Sequence, residues 1–162
     1  MSLGRYRYLS IGLRASILAI DLCILILLSL SLYTISTSLM DIMSNPNESI
    51  NVDFGFNDVS REYFMIIRLN VVNNGFVDMN VKFDASIFTS SGVIVRSASN
   101  STILPPRSSK TLSLKFTFSE SDILNYGFDV NPPYMNLGLE FRVISNLFGL
   151  KIDVGNIRIG GG

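Results

Sequence analysis

The chain has 162 residues, 13 of them basic and 13 acidic, with no His, no Trp and a single Cys. Without imidazole there is no Ser-His-Asp triad, no Cys-His pair and no zinc site built on His and Cys. The balanced charge argues against a nucleic-acid partner, which would need a basic face, and the length suits one anchor plus one domain of about 115 residues.

Arg5, Arg7 and Arg14 open the chain, and Leu22 to Met40 (LCILILLSLSLYTISTSLM) is then uncharged and apolar. As a helix that run spans roughly 28 Å, close to the bilayer core. The next charge is Asp41. Positive residues stay inside, so the charge asymmetry predicts a cytoplasmic N-terminus and an outward-facing domain. The expected organisation is a short basic cytoplasmic segment (1–15), a transmembrane helix (16–43), a linker (44–49) and an extracytoplasmic domain (50–160). The chain would cross the plasma membrane once, with the lipid bilayer as its first partner. A cleaved secretory signal competes with this reading. Such signals have shorter apolar regions, and Ser36-Thr37-Ser38 is a weak cleavage site. A pilin-type leader would need a small residue before the run; Gly12 is the candidate, with Arg14 placed awkwardly after it.

Arg14 and Asp21 lie seven residues apart and share a helix face. Ionisable groups inside a membrane are costly and often functional, so one reading is contact with a partner helix of opposite charge. The other is that the span starts near Leu22, with both residues at the inner interface. Cys23 sits in the apolar run, so the outer domain has no thiol and must hold by core packing.

Asn45-Pro46-Asn47 breaks the helix, and the pattern switches to a period of two. Ile50, Val52, Phe54 and Phe56 form the first inward set; Met65, Ile67, Leu69 and Val71 form the second, ending at Asn73-Asn74-Gly75. Val77 to Ile87 alternate over the longest run, with Phe83 inward and Lys82 and Asp84 outward. Val93-Ile94-Val95 follows Ser90-Ser91-Gly92. Leu112 to Phe118, Leu137 to Val143, and Leu150 to Ile159 complete the set. Six or seven half-wet strands predict a mainly β fold, an antiparallel β-sandwich, preceded by the single transmembrane helix. Ser119 to Tyr126 is the one short helix of the domain, with Ser119 as N-cap and Glu120 and Asp122 in the first turn. Asn73–Gly75 and Ser90–Gly92 read as hairpin-type connections, and Pro105-Pro106 and Pro132-Pro133 as corners between sheets.

The stretch from Arg68 to Phe118 resembles the type-2 late-embryogenesis-abundant proteins, the water-stress and hypersensitive-response (WHy) domain. The likeness lies in a strand ending in an Asn turn (Leu69 to Gly75), a long amphipathic strand (Val77 to Phe88), and a small-residue turn with Gly92-Val93-Ile94-Val95. It continues through the proline corner Ile103-Leu104-Pro105-Pro106 and the returning Ser108, Ser109 and Thr111. The first turn has Asn73-Asn74 where that family usually has Asn-Pro. The resemblance implies a β-sandwich with one short helix, often behind a membrane anchor, and a protective or interaction role. It carries over no catalytic residues and no cofactor.

Asn47-Glu48-Ser49 and Asn100-Ser101-Thr102 match the N-glycosylation sequon, so Asn47 and Asn100 are candidate acceptors in expected loops. Glu120, Asp122 and Asp129 cluster beside Asn125 and Asn131. Their spacing fits no EF-hand, and helix capping accounts for them better than calcium binding. Tyr126, Phe128 and Tyr134 cap one end of the sandwich or form a contact patch. Gly160-Gly161-Gly162 reads as a disordered end.

Two functions are expected to compete. One is a membrane-anchored, non-enzymatic interaction or accessory module whose partner is another membrane or envelope protein. The other is a pilin-like structural subunit of a surface filament or envelope lattice. There the N-terminal helix self-associates, with Ser29, Ser31, Thr34, Ser36, Thr37 and Ser38 at close helix contacts.

Overall fold

The computed structural model describes residues 3–128 and 130–159, with side chains from Gly12 onward. A single helix, α1, runs unbroken from Leu3 to Ser44. In place of the linker expected over 44–49, a helical turn, α2 (Pro46–Ser49), follows at once. Pro46 stands at the start of the turn, where a missing N–H is tolerated, and the Glu48 and Ser49 amides donate to the Asn45 carbonyl.

Seven strands follow: β1 (Ile50–Asn57), β2 (Glu62–Asn73), β3 (Met79–Phe88), β4 (Ile94–Leu104), β5 (Ser108–Ser119), β6 (Tyr134–Val143) and β7 (Phe148–Arg158). Helix α3 (Glu120–Tyr126) lies between β5 and β6. The strands form two antiparallel sheets, ordered β1-β2-β5 and β4-β3-β6-β7. This is the expected antiparallel sandwich. Its core is the inward phase of the alternating runs: Ile67, Leu69 and Val71 on β2, Val81, Phe83, Ala85 and Ile87 on β3, Leu112, Leu114 and Phe116 on β5, and Phe141 on β6. Burying these faces is the main favourable term, because the domain has no disulfide.

The connections sort by sheet. Ser90–Gly92 closes a hairpin between paired β3 and β4, with Gly92 at φ 84°. Asn73–Gly75 is not a hairpin turn: β2 and β3 belong to different sheets, so this segment crosses the sandwich. Both proline pairs mark such crossings, Pro105-Pro106 between β4 and β5 and Pro132-Pro133 between α3 and β6. Strand β4 is far longer than Val93–Val95, because pairing with β3 extends it to Leu104.

Phe54 and Phe56 are not core residues; they are 62% and 41% exposed. Phe54 has the inward phase, since it pairs with buried Met65. However, β1 is the edge of its sheet, and the facing sheet does not cover it.

The sandwich has two ends. At the helix end lie the 74–78 crossing, the 105–107 corner and the 144–147 turn. At the far end lie the 58–61 turn, Ser90–Gly92, and α3.

Candidate functional site

The last third of α1 belongs to the sandwich. Ser31, Thr34, Ile35, Ser38 and Ile42 are buried, at helical spacing on one face, and Ile35 and Ile42 join the hydrophobic core. Three of these side chains are polar, yet each hydroxyl is satisfied within the helix. Ser31, Thr34 and Ser38 donate to the carbonyls of Leu27, Leu30 and Thr34 at 2.7, 2.8 and 3.0 Å. Back-bonding of this kind turns a small polar residue into a short, saturated surface on which a sheet can pack closely. The closeness is visible at Gly75, where a side chain would collide with Thr34. Beside it, Tyr33 and Phe76 stack with ring centroids 5.6 Å apart. At the edge of this face, Leu28, Ser31, Leu32 and Ile35 line a shallow cleft with Phe148 to Leu150.

Asn73 organises this end. It is fully buried, and its amide nitrogen donates to the carbonyls of Val77 and Leu104, both at 2.9 Å. Its side-chain oxygen accepts from the Gly75 amide at 2.9 Å, and its own carbonyl accepts from Arg107 at 2.7 Å. One residue thus ties the 74–78 crossing to the 105–107 corner and holds Gly75 against Thr34. Sequence reasoning recognised the turn but missed this role; the Asn-Asn-Gly triplet was the available signal.

The rest of α1 is bare. Every described residue from Gly12 to Leu27 is exposed, including Leu13, Leu18, Leu22 and Leu25. Gly12–Ser44 is long and apolar enough to cross a membrane, and among the described residues no other helix is. Arg14 and Asp21 both lie in the bare part, and among the described residues neither has an ion-pair partner. Cys23 is exposed there as well. The side chains of Arg5 and Arg7 lie outside the described residues.

At the far end, Ser119 caps α3 as the sequence predicts. Its hydroxyl accepts from the Asp122 amide at 3.1 Å, and the Asp122 carboxylate accepts from the Ser119 amide at 3.0 Å, a complete capping box. Arg96 of β4 adds an ion pair to Asp122 at 3.0 Å. The backbone hydrogen bond from Ser119, supported by its hydroxyl and by Arg96, holds the Asp122 carboxyl below its ordinary range. These bonds explain Asp122 without a cation, and no group of three or more potential metal ligands occurs among the described residues. Asp129 and Gly160–Gly162 lie outside them. Phe128 packs edge-on against core Phe118 at 5.9 Å and stacks on Tyr126 at 5.7 Å. Above them opens an apolar cavity of about 420 Å³, lined by Phe54, Phe56, Tyr63, Phe64, Ile123 and Ile159 among others. Its size falls within the range of small-ligand and side-chain pockets.

The two sequons differ in setting. Asn47 is exposed on α2, whereas the following Ser49 is buried. Asn100 is not in a loop: it sits mid-strand in β4 opposite Phe83, and its side chain donates to the Ser113 carbonyl at 3.1 Å.

No protein-family model matches the chain. No curated protein matches it in sequence. Among solved structures, the chain is similar to a protein from Archaeoglobus fulgidus, at 14% identity and TM-score 0.43, over 68% of this chain and 98% of that one. It is also similar to the Bacteroides uniformis β-glucuronidase, at 8% identity and TM-score 0.44, over 68% of this chain. The chain spans 13% of that enzyme's length. What the fold defines is a class: an antiparallel β-sandwich carried on one long apolar helix.

Proposed function

We propose that this chain is a membrane-anchored, outward-facing interaction module without catalytic activity. The observation that carries the reading is the continuity of α1, which passes without a joint from a bare apolar stretch into the core of the sandwich. From Ser31 onward one face of α1 is occupied by the β domain, so the membrane segment comprises about residues 11–30, roughly 30 Å of helix. The domain then stands directly on the bilayer, with Tyr33 and Phe76 at the height of the headgroups, where aromatic rings are favoured. Its far end, with the aromatic cavity, points away from the membrane and is the surface offered to a partner. The Arg68 to Phe118 resemblance supports the same reading. The test is co-purification from solubilised membranes, comparing the full chain with Phe54→Asp. A partner captured by the first and lost by the second supports the module. A chain that runs alone at every concentration sinks it.

A second reading, a surface-filament subunit, is favoured by the same rigid joint and by the charges in the bare helix. A span over 11–30 places Asp21 near the bilayer centre, where a charge costs about 2.5–3.5 kcal/mol unless it is partnered. The Ser and Thr residues expected at helix contacts divide: Ser31, Thr34 and Ser38 face the chain's own sandwich, leaving the apolar segment before them for assembly. Electron microscopy of cells producing the chain discriminates, since only this reading gives filaments that vanish on its deletion.

A further inference from the structure

We propose that the free edge of β1 takes an extended segment of another protein, alternating large apolar and basic residues, as a fourth strand of its sheet. The inference rests on the interaction-module reading and names the partner's chemistry. The layers of the sandwich are unequal: β1-β2-β5 is three strands wide, whereas β4-β3-β6-β7 is four. Directly paired residues share a face of the sheet. Phe54 is opposite buried Met65, and on β7 Val154 is opposite Leu137, which packs on the core, so both have the inward phase. Yet Phe54 is 62% exposed and Val154 50%. A strand added beyond β1 would cover both. Its apolar side chains level with Phe54 and Phe56 would close the cavity that these two line together with Ile159.

Sheet edges are normally guarded against such addition by charges, proline, bulges or cover. Among the described residues the other edges are guarded. β4 and β5 lie side by side, tied by the Asn100 side chain to the Ser113 carbonyl. β7 has a register shift between Met135 and Leu137 of its partner strand, Asn156 at φ 60°, and an exposed Lys151–Asp153 ion pair at 2.9 Å. β1 pairs with β2 from Ile50 to Asn57 without a slip and contains no proline and no lysine. Its single charge, Asp53, is engaged by Arg68 of β2. Charge then selects the occupant. From Asp41 to Ser60 the charged residues are Asp41, Glu48, Asp53 and Asp58, all acidic. Such an edge favours a basic strand and repels a second copy of itself. Antiparallel pairing of β1 with β1 would also turn one of two domains upside down on a shared membrane.

The experiment holds the full chain in phosphatidylcholine nanodiscs and titrates it with the synthetic peptide Lys-Phe-Lys-Val-Lys-Phe-Lys-Val. A strand turns alternate backbone amides toward one neighbour. Methylating the amide nitrogens of one alternate set should therefore weaken binding about tenfold, and methylating the other set should leave it within about twofold. The bound peptide should slow hydrogen exchange in β1 and leave β7 unchanged. Replacing its lysines by glutamates, or combining Glu48→Lys with Asp58→Lys in the chain, should weaken binding about tenfold at low salt. Equal binding of the two methylated peptides, protection of β7 in place of β1, or a glutamate peptide that binds as well as the lysine one overturns the proposal. Co-purification from membranes separates the two readings. A chain that captures no partner there, yet protects β1 under the peptide, sinks the module and leaves the edge site standing. A partner captured through Phe54, with both methylated peptides binding alike, sinks the strand addition alone.

Discussion

Thr34 of the long helix fills the space above Gly75 where a β-carbon would stand. A residue before the domain and a residue in its first crossing segment therefore fix each other's identity, and the contact sets how closely helix and sandwich approach.

Gly75→Ala should destabilise the full chain by about 1–3 kcal/mol, the usual cost of overpacking. Adding Thr34→Gly should recover part of the loss, although a mid-helix glycine itself costs about 1 kcal/mol. Thermal unfolding of both single variants and the pair closes the cycle. Strict additivity would mean that the two residues do not touch.

Phe83 is 3% exposed in the middle of β3, while Lys82 faces solvent. Phe83→Ala should cost about 3–5 kcal/mol, a large share of a typical domain's stability. Lys82→Ala should shift it by less than about 0.5 kcal/mol. Comparable losses in denaturant unfolding would contradict the strand's phase.

Because Ile35 and Ile42 belong to the core, a fragment starting at Asn47 should be weaker than one starting at Leu30. Burying each isoleucine contributes about 1.5–3 kcal/mol, so the gap should be about 3–6 kcal/mol. Chemical denaturation of the two fragments measures it. Equal midpoints would show that the helix rests on the sandwich without stabilising it.

The Asp122 carboxyl titrates below its unfolded value, near 3.9, because the charged form is hydrogen-bonded to the Ser119 amide and paired with Arg96. A lowered folded value adds stability that is fully present above pH 4 and is lost as pH falls through the folded value. Asp122→Asn should thus lower the melting temperature at pH 7, and the difference from the parent should shrink below pH 4. A difference unchanged between pH 7 and pH 3 would remove the charge from the cap.

Alternation made most of the sandwich legible, since β2, β3, β5 and β6 each carry a run of large apolar residues at period two. It misled at Phe54 and Phe56, because phase tells which side a residue faces and not whether a second sheet covers it. It was silent over Ser97 to Thr102, where small polar residues give no signal and pairing with β3 imposes the strand. The capping box at Ser119 and Asp122 was readable because its chemistry is local. Ser31, Thr34 and Ser38 were visible among the small hydroxyl residues suited to close packing, but neither the face they share with Ile42 nor its partner was. Nothing local distinguishes another helix from the chain's own sheets, and the contact spans some forty residues of chain from Thr34 to Gly75.

A helix that enters the sandwich without a joint removes the domain's freedom to swivel. Turning α1 about its axis carries the aromatic cavity round by the same angle, so whatever grips the bare half also sets the compass bearing of the far end.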